Sequence, residues 1–422
     1  YKIVITDSLL FCILSIVDII KNKILHRITT FSIYISCFFI LFSTATFNVF
    51  IITAVIFSIV QLLYTQNFQE INLKIFYYPS ILFFLLVLSI SYTSADAESV
   101  RNVFFKYLKL LYFPFLYYII NSKNIVENIF RSFHIGAAII LFLSYCKYVN
   151  LFDPEIITNS LNLHYTDKLR NGATLFQHSI IHGVIFSFIG VSSYLKASTS
   201  NINYYYLFSV LCFSNVLLIN TSRTGYMITL SLIALIIIRE LSNTRFKIEI
   251  VALIFSIITL FFVYSDTIQN RIHAAYSDIN LIQDDYYNTS LGYRYLWLQN
   301  GINNLQEKPL LGHGIGSYKN TIQRYIKDHE IQHEDLSAVG NNTHNEFISI
   351  SSQIGIVGLS VFITFLLNLL SIARGNFLLK SIFIIVFITS LFNSLFFENV
   401  SGLFAVIIII LGLRNKEYNY LK

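Results

Sequence analysis

Apolar residues along this 422-residue chain fall into long runs separated by short polar connections. A helix needs about 20 mostly apolar residues to cross a bilayer, and the runs approach that length. The pattern therefore predicts membrane-spanning helices. They are predicted near residues 2–20, 29–43, 46–63, 76–93, 103–120, 132–149, 178–196, 204–220, 223–239, 247–264, 344–372, 377–396 and 402–413.

The architecture follows from the hydrogen-bonding needs of a backbone inside lipid. Every amide there must be bonded within its own helix or within a closed barrel. Barrel strands alternate apolar and polar residues, whereas this chain does not. We therefore predict an all-α fold, a polytopic transmembrane helical bundle. It has twelve helices, or thirteen if the first run spans the membrane instead of lying on its surface.

Lysine and arginine residues in the short connections orient this bundle, because cytoplasmic loops carry an excess of them. They occur in alternate connections, at Lys21, Lys23, Arg27, Lys123, Arg131, Arg239, Arg245, Arg374 and Lys380, and again in the tail at Arg414 and Lys416. Residues 94–102, 150–177 and 265–343 are then predicted to face outward. Three regions result, which are an N-terminal bundle (1–264), a large outer loop (265–343) and C-terminal helices (344–422).

Composition excludes several classes of protein. The chain is 55% hydrophobic and only 12% charged, whereas soluble domains carry about 25% charged residues. Its net charge of +6 is explained by cytoplasmic loops, which argues against nucleic acid as a partner. The four cysteines lie far apart in apolar runs, so we predict free thiols and neither a disulfide framework nor a metal site.

The outer loop is the longest hydrophilic stretch of the sequence. The apolar periodicity of Tyr293–Leu305 predicts a folded, partly helical cap. Within it, residues 312–316 read Gly-His-Gly-Ile-Gly and follow Pro309. They lack the preceding strand and the lysine of a phosphate-binding loop, so they are predicted to form a turn.

Two arginines are candidates for binding an anion at the outer face. Arg223 stands in Thr-Ser-Arg-Thr-Gly at the predicted outer end of a helix, and Arg294 opens the amphipathic stretch of the loop. A snorkelling side chain explains the first and a solvated surface position explains the second. The functional alternative is a pair of guanidinium groups that grip a lipid-linked phosphate.

His344 lies where the outer loop ends and the next predicted helix begins. Thr343 or Asn342 is its predicted N-cap, and Asn345 is a further candidate for substrate binding. A neutral imidazole at this depth suits general-base chemistry on a sugar hydroxyl. A helix-end histidine bonded to headgroups or water is the structural alternative.

Lys106 and Lys109 share one face of an outward-facing helix end, where the positive-inside rule disfavours cations. They are candidates for substrate binding in a phosphate-binding cavity, or for simple headgroup contact. His178 and His182 have a spacing that some zinc sites use, but the glutamate of that motif is missing. A polar helix start is predicted there, with Arg170 just upstream as a candidate for an acceptor-side pocket.

These elements together resemble the O-antigen ligase family. The likeness runs from about Arg170 to Gly358. It comprises the Ser-Arg-Thr-Gly setting of Arg223, Arg294 at the head of an amphipathic stretch, the Glu-Lys-Pro-Leu-Leu-Gly-His-Gly-Ile-Gly segment at 307–316, and Thr-His-Asn-Glu-Phe at 343–347.

The resemblance implies a multi-pass glycosyltransferase of the bacterial inner membrane. It would transfer a polysaccharide from undecaprenyl pyrophosphate to a sugar of lipid A-core on the periplasmic side, completing lipopolysaccharide. The family's reaction is inverting and uses no metal, nucleotide or other cofactor. By the same resemblance Arg223 and Arg294 hold the pyrophosphate, His344 activates the acceptor hydroxyl, and Lys109 loosely matches a family lysine.

Three alternatives stay open on the sequence. O-antigen polymerases and protein O-oligosaccharyltransferases use the same donor and share these motifs, although a single large outer loop late in the chain favours the ligase. A transporter or flippase for a lipid-linked glycan would need charges or broken helices near the bilayer midplane. The candidate charges gather instead at one outer face.

Overall fold

The computed structural model describes residues 23–66, 74–151, 175–200, 202–241, 266–284, 286–331 and 342–418, and every regular element in these ranges is helical. We number the helices in chain order. They are 23–39 (α1), Thr44–Thr65 (α2), Tyr77–Leu88 (α3), Ala97–Tyr107 (α4), Tyr112–Ile119 (α5), Lys123–Tyr148 (α6), Ser179–Ser200 (α7), Asn203–Ser214 (α8), Arg223–Leu241 (α9), Asp266–Gln283 (α10), Ser290–Glu307 (α11), Tyr318–Asp328 (α12), Glu346–Ile372 (α13), Phe377–Phe392 (α14) and Asn399–Tyr418 (α15).

The all-helical prediction is confirmed for these ranges, and the chain is a multi-pass membrane protein. Seven of the described helical segments are long and apolar enough to cross a membrane, and Asn203–Ile219 and Phe377–Phe392 are shorter apolar helices. The predicted spans at 2–20 and 247–264 fall outside the described residues. The count of twelve therefore stays a prediction.

Helices α7 and α15 occupy the centre of the bundle. In each, 83% of the membrane-crossing stretch is buried, against 33–44% for the other five long segments. Helix α7 packs against α8 and α9, while α14 packs against α9, α13 and α15. Cys37, Cys146 and Cys212 are free thiols, as predicted, and Cys12 lies outside the described residues.

The predicted helix at 103–120 is instead three pieces, which are α4, a 3-10 turn at Leu108–Leu111, and α5. Pro114 is the third residue of α5. Proline has no N–H to continue an α-helical ladder but is tolerated in a first turn, so the break falls just before it. The turn carries Lys109, which the break directs into the protein.

Helix α13 is also broken, at Ile354 and Gly355, where the sequence predicted one continuous span. The predicted turn at 312–316 is present and docks into this break. The N–H groups of His313 and Gly314 donate to the carbonyls of Ser352 and Gln353, both at 2.9 Å. The break therefore frees backbone groups that the outer loop satisfies, which ties the loop to the bundle.

The outer loop contains helices α10, α11 and α12, so its predicted partly helical character is confirmed for the described part. Helices α11 and α12 share a small apolar core, formed by Tyr287, Leu296, Trp297, Tyr318, Ile322 and Ile326. Helix α11 also packs along α13. This packing brings one face of the loop against the start of α13, where His344 lies.

Candidate functional site

Arg223 is held at the first turn of α9 by a polar bend that precedes it. Asn220 accepts the N–H of Ser222 at 3.2 Å and donates its side-chain amide to the Ser179 carbonyl at 2.9 Å. The hydroxyl of Ser222 accepts the N–H of Gly225 at 3.2 Å and so caps the helix. Arg223 therefore stands beside the start of α7 at a fixed point, and it is partly exposed.

Arg294 lies in the second turn of α11. Thr289 caps this helix by accepting the N–H of Gly292 at 3.0 Å, so the helix start is well defined. Burial lowers the pKa of Arg294, and the nearby charge of Arg223 lowers it further. The two arginines are 71 positions apart in the sequence, yet they lie close enough in space for their charges to interact.

Neither guanidinium has an ion-pair partner in the part of the chain that the structure describes. Two like charges brought together in a partly buried place repel each other, unless an anion lies between them. Guanidinium groups bind phosphate oxygens through paired N–H donors. The geometry therefore favours a ligand that carries several negative charges.

His344 sits on a tightly specified turn just before α13. Its backbone has a φ of +46°, which is uncommon for a non-glycine residue. The side chain of Asn342 accepts the His344 N–H at 3.0 Å and holds this conformation. The N-cap of α13 is Asn345, which accepts the Ile348 N–H at 3.0 Å, so the prediction of Thr343 or Asn342 was wrong.

The imidazole of His344 is held on one edge and one face. Its Nδ1 lies 3.1 Å from Oδ1 of Asn393, and that oxygen also accepts the Ser394 N–H at 3.0 Å. Because an amide oxygen only accepts, Nδ1 carries the proton and Nε2 has a free lone pair. The ring of Trp297 covers a face at 4.8 Å between centroids.

Burial lowers the pKa of His344. The charges of Arg294 and His178 lower it further, while the Asn393 hydrogen bond and Glu398 oppose the shift. His344 is therefore neutral at pH 7 and able to accept a proton. Arg294 therefore lies within electrostatic reach of both Arg223 and His344. We refer to these three residues as the Arg–Arg–His cluster.

The remaining candidates lie elsewhere. Lys109 is 3% exposed and donates from Nζ to the carbonyl of Glu398 at 2.6 Å. Lys106 places its ammonium over the Phe397 ring, 3.6 Å from the centroid. Both line a cavity of about 600 Å³ beside α4, and neither has a described contact with the Arg–Arg–His cluster. Arg170 lies outside the described residues.

The side chain of Asn345, a candidate for substrate binding, is hydrogen-bonded within the protein at both ends of its amide. Its Oδ1 caps α13, and its Nδ2 donates to the Leu391 carbonyl at 2.9 Å. One end of its amide thus caps helix α13, and the other end holds that helix against the end of α14. The contacts of Asn345 support a positioning part, and its predicted contact with substrate stays untested.

His178 and His182 differ in their surroundings. His178 accepts the Ile180 N–H at 3.4 Å at the start of α7 and stands near His344. His182 is buried, and its Nε2 is 2.8 Å from the Asn215 side chain. Among the described residues no group of three or more His, Cys, Asp or Glu side chains is arranged to hold a metal ion.

Two comparisons with known proteins agree with this geometry. The family model described as O-Antigen ligase matches residues 208–363. The O-antigen ligase of Escherichia coli (strain K12) is 24% identical over 361 residues, which cover 81% of this chain and 81% of that protein. The chain is therefore similar to the O-antigen ligase family. Arg223, Arg294 and His344 all fall within the matched residues, whereas Lys106 and Lys109 do not.

This similarity points to a membrane glycosyltransferase-type enzyme. Sequence reasoning missed Asn393, and it gave Trp297 and His178 no part in the candidate site. The signal for Asn393 was an amide inside a predicted membrane segment, where polar groups are rare and usually functional. Trp297 follows Arg294 by three residues on one helical face, which was a second usable signal.

Proposed function

We propose that this protein is an O-antigen ligase that works on the periplasmic side of the bacterial inner membrane. It takes a polysaccharide from undecaprenyl pyrophosphate and joins it to a sugar of lipid A-core. The observation that carries this proposal is that Arg294 lies within electrostatic reach of both Arg223 and His344, while neither arginine has an ion-pair partner among the described residues. The similarity to the O-antigen ligase family supports the same substrate class.

In the proposed reaction Arg223 and Arg294 bind the donor pyrophosphate. Each guanidinium donates paired hydrogen bonds to phosphate oxygens, which relieves the repulsion between the two arginines. Negative charge increases on the pyrophosphate as its bond to the sugar breaks. Fixed positive groups stabilise that charge more than they stabilise the bound donor, and so they lower the barrier.

His344 acts as the general base. Its Nε2 accepts the proton of the acceptor hydroxyl while that oxygen forms a bond to the anomeric carbon of the donor sugar. The bond from that carbon to the pyrophosphate oxygen breaks, and its electron pair leaves with the pyrophosphate. Direct displacement inverts the anomeric centre. The two arginines supply the positive charge, so the proposed mechanism uses no metal ion.

A transfer assay with purified protein in detergent tests this function. The assay supplies undecaprenyl-pyrophosphate glycan and lipid A-core, with EDTA present. Glycosylated lipid A-core formed by wild type, and by none of Arg223→Ala, Arg294→Ala and His344→Ala, is the expected result. Lengthened lipid-linked glycan with the donor alone would instead identify a polymerase. Activity that requires added metal would overturn the proposed mechanism.

A further inference from the structure

The 600 Å³ cavity beside α4 is a second polar chamber on the side of the molecule that the outer loop covers. Its walls come from α2, from α4 and the turn after it, from α13, and from the loop residues Gly316, Tyr318 and Lys319. Because loop residues form part of the wall, the chamber lies at the same face as the Arg–Arg–His cluster. The proposed mechanism does not use it.

Charge in this cavity is one-sided. Lys106, Lys109 and Lys319 line it together with amide side chains, and no Asp or Glu among the described residues does so. The nearest carboxylates, those of Glu346, Glu398 and Asp96, do not line the cavity, although their charges interact with these lysines. Glu398 accepts a hydrogen bond from Asn342, and Asp96 accepts the Ser99 N–H at 2.7 Å as the N-cap of α4. The charged side chains that line the chamber are therefore all cationic, which suits an anionic ligand.

The three lysines have different roles in the cavity. Lys109 is already bonded to the carbonyls of Glu398 and Asn399, at 2.6 and 3.4 Å, so it mainly fixes the wall. Lys319 is exposed on α12, and Lys106 is partly buried over the Phe397 ring. Neither has an ion-pair partner within the described ranges. Lys106 and Lys319 are thus available to a ligand.

One short segment separates the cavity from the candidate base. Phe397 and Asn399 line the cavity, and Glu398 between them accepts the hydrogen bond of Asn342. The other end of the Asn342 amide accepts the His344 N–H at 3.0 Å. A ligand in the cavity therefore lies across this single segment from His344. Neither Arg223 nor Arg294 lines the cavity.

We propose that this cavity binds the phosphorylated headgroup of the acceptor glycolipid, while the Arg–Arg–His cluster binds the donor. The inference rests on the proposed function, because a ligase must hold two anionic lipids at once. Separate positive chambers keep their phosphates apart and leave the acceptor sugar to reach His344. A lysine is a point charge that tolerates varied phosphate positions, whereas the arginine pair suits one pyrophosphate.

Direct binding tests this assignment without transfer. The full-length protein in detergent is titrated with bisphosphorylated lipid A, monophosphorylated lipid A and phosphatidylglycerol, and complexes are counted by native mass spectrometry. Each lysine near an anionic lipid contributes about 1 kcal/mol, so Lys106→Gln and Lys319→Gln should each weaken binding of bisphosphorylated lipid A roughly fivefold. Lys327→Gln is the matched control, because Lys327 is exposed on the same helix as Lys319 but does not line the cavity.

Each outcome of these titrations supports the acceptor assignment or overturns it. Binding that falls in both cavity variants, but not in Lys327→Gln, supports the proposal, as does weaker binding of the monophosphorylated form. Equal competition by phosphatidylglycerol identifies a general headgroup site and overturns the acceptor assignment. Unchanged binding in both variants also overturns it.

Kinetics separate this proposal from the proposed function. In the transfer assay, Lys106→Gln and Lys319→Gln should raise the KM for lipid A-core and leave the KM for donor unchanged. A raised KM for donor alone would assign the cavity to the donor instead. Lysine-dependent lipid A binding without any transfer by wild type would leave the binding site standing and remove the proposed function.

Discussion

Asn393 offers the sharpest test of how the candidate base is prepared. Its Oδ1 lies 3.1 Å from Nδ1 of His344 and also accepts the Ser394 N–H, which fixes the amide orientation. Asn393→Leu removes the acceptor with little change in side-chain volume. The N–H on Nδ1 then loses its partner in a half-buried place, or the proton moves to Nε2 and blocks the base.

The size of the effect follows from that hydrogen bond. Leaving a buried donor without a partner costs about 1–3 kcal/mol, which corresponds to roughly a five- to 150-fold loss of kcat. Asn393→Asp keeps an acceptor and adds negative charge beside the imidazole. It should therefore retain kcat at pH 8 but raise the pKa of His344, so that activity falls at a higher pH on acidification.

The assay is transfer rate against pH for wild type and both variants. Ser390→Ala is the matched control, because Ser390 is buried on the same helix but donates only to the Val386 carbonyl, at 2.8 Å. It should behave as wild type. An Asn393→Leu protein with wild-type kcat and pH profile would show that Asn393 does not position His344, and the tautomer argument would fail.

Three further predictions test other parts of the molecule. Because burial lowers the pKa of His344 from its usual value of 6.5, the acid limb of kcat/KM should have its midpoint below pH 6.5, and a midpoint above 6.5 would contradict the burial argument. Gly355→Ala should lower the Tm more than Gly375→Ala. Both glycines have a positive φ, which costs an alanine about 1–3 kcal/mol. A Cβ at Gly355 would also lie 2.3 Å from the carbonyl oxygen of Leu310, whereas a Cβ at Gly375 would meet nothing within 4 Å. Equal losses of Tm in the two variants would show that the packing of the outer loop does not depend on the break in α13. Arg294→Lys keeps the charge but loses the bidentate donors, so donor affinity should fall by about tenfold or more, and wild-type affinity would show that charge alone suffices.

Much of the helical architecture was predictable, because lipid forces backbone groups to bond within each segment. The breaks within helices were harder to predict. Gly355 and Pro114 are visible in the sequence, but glycine and proline also occur inside unbroken membrane helices. The break at Gly355 forms because the turn at 312–316 supplies backbone partners, and that contact joins distant parts of the chain.

The residues of the candidate site also divide into those that the sequence predicted and those that it did not. Arg223, Arg294 and His344 drew notice individually because charged or titratable groups at the edge of an apolar segment need a reason. Their proximity could not be read from spacing, since it depends on how α9, α11 and the turn before α13 pack. Asn393 joins through α14, and its role depends on a hydrogen bond that no local pattern specifies.

The central claim is that two arginines hold the donor while His344 activates the acceptor. Donor binding measured apart from transfer tests it most directly, with undecaprenyl-pyrophosphate glycan titrated against wild type, Arg223→Ala, Arg294→Ala and His344→Ala. The account predicts that His344→Ala binds the donor as wild type does but transfers nothing, whereas both arginine variants lose donor affinity. Wild-type donor affinity in both arginine variants would contradict it.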